Sequence, residues 1–136
     1  VDSTDIEACR QFAQGKQFVV VEDDELVSQS LRDLLENMGA SVECFENAEY
    51  ALHQPDIEKA DCYIVDYMLP GIIDGTNFLL SLHQKLHKPV CAVMMSGNTS
   101  SYFLRKAEHF DWPVLNKPVK VSQLISQLSQ QYNRKS

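Results

Sequence analysis

The chain has no cluster of Lys and Arg anywhere in its 136 residues, and its formal net charge is −7. Electrostatic attachment to nucleic acid or to anionic lipid needs such clusters, so neither is expected. No apolar stretch approaches the roughly 20 residues of a membrane-spanning helix, and the N-terminal residues lack the basic and apolar regions of a signal peptide. The four cysteines, Cys9, Cys44, Cys62 and Cys91, include no C-x-x-C pair, which speaks against zinc or redox use. Cys44, Cys62 and Cys91 fall in strand-like runs, and buried reduced thiols suit a reducing cytoplasm. His53, His83, His87 and His109 show no paired ligand spacing and read as surface residues. There is no internal repeat and no low-complexity stretch. What is there is the composition of one ordinary globular domain with room for a core, 44% hydrophobic and 23% charged.

Apolar runs and helical stripes alternate along it. Gln17–Val21, Ser41–Phe45, Cys62–Val65 (ending at Asp66), Val90–Met95 and Val114–Asn116 read as buried strands. Leu26, Val27, Leu31, Leu34, Leu35 and Met38 form a helical stripe that Gly39 closes. Asn47 can cap a brief helix that stops before Pro55. Phe78, Leu79, Leu82 and Leu86 mark another helix, ended by Pro89. Thr99 can cap one reaching about His109, and Val121, Leu124, Ile125 and Leu128 mark the last. Five β-α units with right-handed crossovers predict a doubly wound α/β fold: a (βα)5 three-layer sandwich around a five-stranded parallel sheet, flavodoxin-like. Residues 1–15 read as a linker or N-terminal extension, with a helical turn or two, and 16–136 as the domain.

Three consecutive acids, Glu22-Asp23-Asp24, follow the first strand. They sit where open α/β sheets bind their ligands, at a strand's carboxyl end. By themselves they are either a cation site or a solvated acidic loop that caps the next helix. The same edge, however, also receives Asp66 after strand three, Ser96 after strand four and Lys117 after strand five. Acids gathered at one edge can hold Mg²⁺ through oxygen ligands. A hydroxyl and an ammonium beside them can bind phosphoryl oxygens, and Asp66 is the natural nucleophile toward phosphorus. Each residue alone could be turn chemistry or solvated charge; together at one edge they point to phosphoryl transfer.

The segments Val19–Asp24, Tyr63–Gly71, Met94–Gly97 and Leu115–Val119 resemble the receiver domain of two-component response regulators, over about Gln17 to Gln130. The resemblance implies that Asp66 accepts a phosphoryl group from a phosphohistidine in a phosphorelay. It implies Mg²⁺, with Mn²⁺ as a substitute, held by Asp23, Asp66 and the Met68 carbonyl, with Glu22 acting mainly through a bound water. Ser96 and Lys117 would bind the phosphoryl group, and Ser96 with position 114 would form the conformational switch. The Lys117–Pro118 bond is expected to be cis. Glu22 and Asp23 are preferred over Asp23 and Asp24 as the acidic pair, which leaves Asp24 to start the helix. The partner would be a histidine kinase or histidine phosphotransfer protein, docked on the exposed edge of the first helix after strand one and on the loop after strand five. A cytoplasmic location follows, with a membrane tether only through a parent sensor kinase, and so does a monomer or weak dimer. Such a domain phosphorylates and dephosphorylates itself and is not an enzyme acting on a separate substrate.

Two features depart from the family pattern. Most members place a glycine one residue earlier than Gly75, so the loop after strand three is longer here. Many carry an aromatic ring three residues before the lysine, where this chain has Val114. These departures, and the absence of an effector segment, look most like the C-terminal receiver of a hybrid sensor kinase.

Overall fold

The computed structural model describes residues 3–135, with side chains from 6 to 134. The elements are α1 (Ser3–Ala13), β1 (Gln17–Val21), α2 (Glu25–Asn37), β2 (Ser41–Phe45), α3 (Ala48–Leu52), a 3₁₀ turn (Ile57–Lys59), β3 (Cys62–Asp66), α4 (Gly75–Leu86), β4 (Ala92–Ser96), α5 (Ser101–Ala107), β5 (Val114–Asn116) and α6 (Val121–Lys135). All four strand pairings are parallel, in the order β2-β1-β3-β4-β5. The architecture is thus the expected doubly wound (βα)5 sandwich.

The inner strands β1, β3 and β4 are apolar on both faces because each face is covered. Phe18, Val20, Ile64, Val93 and Met95 pack with α1, α2 and α6; Val19, Val21, Tyr63, Val65 and Met94 pack with α3 and α4. The N-terminal helix is longer than a turn or two and belongs to the first of these layers. Its Cys9 and Ala13 are buried, and Phe12 meets Tyr132 of α6 edge-on at 5.7 Å. Lys16 Nζ lies 4.2 and 4.7 Å from those two ring centroids and donates to the Phe12 carbonyl at 2.7 Å. At the other end of the chain, Gln131 uses its side-chain amide as if it were backbone: it accepts from Ala92 N–H and donates to Ala92 C=O.

Several boundaries follow local chemistry that a hydrophobic run does not show. Strand four begins at Ala92, not Val90, because the Val90 carbonyl is taken by Trp112 Nε1. The cap of α5 is Ser100 rather than Thr99, and the helix stops at Ala107 rather than reaching His109. Asn98 Oδ1 accepts from Ser100 N–H, which carries the loop one residue further before Ser100 Oγ takes Phe103 N–H. Asp24 and Asn47 cap α2 and α3 as expected. Gly39, at φ 92°, follows the end of α2. The four histidines are exposed, and the four cysteines form no disulfide, all but Cys44 being buried. Among the described residues no helix is long and apolar enough to cross a membrane.

Candidate functional site

The strand order reverses between β1 and β3, so the loops leaving these two neighbours diverge and open a crevice at their carboxyl ends. Glu22 and Asp23 enter it from β1, and Asp66 is the last residue of β3. One carboxylate oxygen from each of the three lies within 4.8 Å of the others. Asp23 is exposed, whereas Glu22 and Asp66 are 1% and 5% exposed. Asp24 is turned away, its Oδ1 accepting from Leu26 and Val27 N–H at 3.0 and 3.4 Å.

Lys117 arrives from β5 through a cis Lys117–Pro118 peptide. Its ammonium lies 2.7 Å from Glu22 Oε1 and donates to Asp66 Oδ2 at 3.0 Å. Asp66 Oδ1 accepts from Met68 N–H at 3.2 Å, so both oxygens of this carboxylate have a donor. Ser96 ends β4 beside β3 and is buried; its Oγ accepts from Asn98 N–H at 3.0 Å, leaving the hydroxyl proton available. The Met68 side chain is exposed, so only its backbone enters the site.

Two acids and one base cannot all be neutralised pairwise in a buried place. Burial, and then the hydrogen bond and charge of Asp66, push the Glu22 carboxyl up to about 7 against the pull of Lys117. Burial works against the charged form of Lys117, but its bonds to Glu22 and Asp66 win and its pKa is raised. Glu22 Oε1 also has no aligned hydrogen bond despite its closeness to Lys117 Nζ. A buried oxygen without a hydrogen bond, next to two further carboxylates, is a donor set that suits a hard divalent cation. The cluster can coordinate one, and below about pH 7 a proton on Glu22 offsets the repulsion between the buried acids.

That proton makes the stability of the metal-free chain pH-dependent. Between about 4.5 and about 7 the folded chain holds a proton at Glu22 that the unfolded chain releases. Stability from this group is therefore complete at the acidic end and declines as pH rises through the window, by on the order of 3 kcal/mol. Thermal melts in chelator should show wild type losing more stability than Glu22→Gln between about pH 5 and about pH 8. Parallel pH profiles for the two proteins would contradict this charge state.

Position 114 has no aromatic ring to swing inward. Val114 pairs with Met94 in the sheet and packs in the second core layer. The rings nearby come from elsewhere: Tyr67, directly after Asp66, stacks on Phe110 at 5.6 Å and meets Phe103 at 4.9 Å. Trp112 is buried and bonded to Val90, at the amino ends of the strands, and takes no part in the site.

The chain between Asp66 and α4 is held in ways no motif announced. Asp74 caps α4, accepting from Asn77 N–H at 2.9 Å. Gly75 N–H donates to the Tyr67 carbonyl at 3.1 Å, and a Cβ on Gly75 would come within 2.5 Å of the Asp66 carbonyl oxygen. Glu49 of α3 reaches across to this loop, where its Oε2 accepts from Ile72 and Ile73 N–H, each at 2.9 Å. The Asp-Gly-Thr-Asn run was a readable signal for the cap. The Glu49 contact had none, because its partners are backbone groups 23 and 24 residues away.

Solved structures share this architecture. The signal receiver domain of a modulated diguanylate cyclase from Desulfovibrio desulfuricans G20 is 25% identical, with a TM-score of 0.74 over 88% of this chain and 95% of that one. The receiver domain of the Francisella response regulator 1452 is 22% identical, with a TM-score of 0.72 over 90% and 100%. That of a signal transduction histidine kinase from Syntrophus aciditrophicus is 19% identical, with a TM-score of 0.74 over 88% and 92%. No curated protein sequence matches. Residues 18–129 match the family model described as the response regulator receiver domain.

Proposed function

Because the chain belongs to the response regulator receiver domain family, we propose that it is the phosphoacceptor of a two-component phosphorelay, with Asp66 as the residue phosphorylated. Its acidic cluster and Lys117 ion pairs match the active site of such a domain. The observation that carries the reading is the Asp66 carboxylate itself: buried, at the mouth of the crevice, with Lys117 on one oxygen and the Met68 amide on the other.

An Asp66 oxygen attacks phosphorus, the P–N bond to the donor imidazole breaks, and the nitrogen takes up a proton as an acyl phosphate forms. Asp23, Asp66 and the Met68 carbonyl, with Glu22 through a water, would hold Mg²⁺, or Mn²⁺ in its place, and the ion would supply charge neutralisation. Lys117 is positioned to exchange its bond to Asp66 for one to a phosphoryl oxygen. Ser96 has a hydroxyl proton to give to another, and its movement would be the conformational signal, with Val114 limiting how far that signal travels inward. Asp24 is occupied as a helix cap and takes no part.

The partner, a histidine kinase or histidine phosphotransfer protein, docks beside the site. A cleft of about 460 Å³ between α2 and the loop after β5 is lined by Leu26, Val27, Leu31, Leu34, Pro118 and Val119. Leu26 is 80% exposed there, an apolar surface suited to a helical partner. A place at the C-terminal end of a hybrid sensor kinase rests on the longer loop and on Val114, and a kinase core encoded upstream would bear it out.

Incubation with acetyl phosphate and Mg²⁺ tests the reading. The expected result is one added phosphate per chain, absent in chelator and lost slowly on standing. Continuous release of phosphate over many turnovers would indicate a phosphohydrolase instead, and no labelling would indicate a domain that only binds partners.

A further inference from the structure

We propose that Glu49, outside the acidic cluster, is a positioning residue of this site: it ties down the loop between β3 and α4 and so holds the Met68 peptide group where a divalent cation needs it. The inference rests on the phosphoacceptor reading, in which the Met68 carbonyl is a ligand.

Three observations converge on the contact. One carboxylate oxygen takes two consecutive backbone N–H groups, from Ile72 and Ile73, each at 2.9 Å. Consecutive amides pointing at one anion form a concave, locally positive nest. The Ile73 N–H, chiefly, holds the Glu49 carboxyl below its ordinary value. Gly71, just before the pair, has φ +94°, and a Cβ there would stand 2.8 Å from both Glu49 oxygens. Only glycine combines this backbone conformation with so close an approach. The Ile72 side chain at the tip is 95% exposed and adds no packing of its own, while Ile73 beside it is partly buried against the core layer of α3 and α4.

The consequence for Met68 follows from where the loop is fixed. Its base is closed by the Gly75–Tyr67 bond and by the cap at Asp74. Its tip is fixed by Glu49. Met68 lies on the limb between, and its N–H reaches Asp66 Oδ1 at 3.2 Å, the long end of the range for such bonds. A small displacement of the tip would break that bond and carry the Met68 carbonyl out of line. Residues that orient a metal's ligands typically change its affinity by about 10–100-fold when removed.

The test uses the whole chain, wild type and Glu49→Ala, with amide hydrogen exchange in chelator and Mg²⁺ titration by calorimetry. Ile72 and Ile73 amides should exchange at least about tenfold faster in the variant, since a local contact is lost without global unfolding. Mg²⁺ should bind about tenfold more weakly. Glu49→Gln should recover part of both, because its amide oxygen accepts the same N–H groups without the charge. Gly71→Ala should weaken Mg²⁺ binding in the wild-type background and add little in Glu49→Ala, the coupling expected of one shared contact. Faster exchange with unchanged Mg²⁺ affinity would overturn the inference, as would unchanged exchange. Wild-type protein that binds no Mg²⁺ would overturn the phosphoacceptor reading together with the inference, a result distinct from either.

Discussion

Asp66→Asn is expected to fold as stably as the wild-type chain and yet take up no phosphate from acetyl phosphate. The asparagine side-chain oxygen can still accept Met68 N–H, and Lys117 keeps Glu22 at 2.7 Å. What disappears is the nucleophile and the buried charge that opposes ionisation of Glu22. Since Asp66 raises the Glu22 carboxyl both by hydrogen bonding and by charge, its neutralisation relieves a repulsion, and the net effect on stability is small. Loss of a nucleophile is not small: labelling should fall by at least about a thousandfold. Mass spectrometry of the intact protein, beside a thermal melt, separates the two effects. A label surviving on a folded variant would move the acceptor to another side chain.

Gly75→Ala should be the most destabilising single methyl group that can be added to this loop. Its Cβ would stand 2.5 Å from the Asp66 carbonyl oxygen and 3.0 Å from Tyr67 Cα. Both neighbours are backbone at the end of a central strand, with no flexible side chain to give way. Forcing such a contact costs about 3 kcal/mol, which lowers Tm by on the order of 10 °C in a domain of this size. Gly97→Ala, whose Cβ would meet nothing within 4 Å, should change stability by less than about 0.5 kcal/mol. Equal melting temperatures for the two variants would show that the loop yields where the packing says it cannot. Phosphorylation of any folded Gly75→Ala chain should also be impaired, because relief of the clash moves the carbonyl of Asp66 itself.

The fold was legible because strands covered on both faces must be apolar nearly throughout, as β1, β3 and β4 are. The edge cluster was legible for a related reason: parallel strands place all their carboxyl ends together, so Glu22, Asp23, Asp66, Ser96 and Lys117 had to share one region. The assignment of Asp24 to the helix came from register with the family rather than from the residues alone, and Asp24 does cap α2. Glu49 was illegible because its partners are peptide groups, which every residue carries and no sequence distinguishes. The raised pKa of Glu22 was illegible too, since it comes from burial and from an aspartate 44 positions away, against the pull of Lys117. Ser100 displaced Thr99 as a cap only because Asn98 first bonded the backbone ahead of it.

The dispersal of the site along the chain has a kinetic side. Glu22 follows the first strand and Lys117 the last, and β1, β3, β4 and β5 must all pair in parallel register before the five groups meet. Parallel pairing closes long loops before any contact rewards it, and it is slow among folding events. No hairpin or helical fragment holds even two opposing charges of the constellation from different strands. A nascent or partly refolded chain should therefore be silent toward its phosphodonor until β5 has joined β4, β3 and β1, so that competence to receive a signal arrives late in folding.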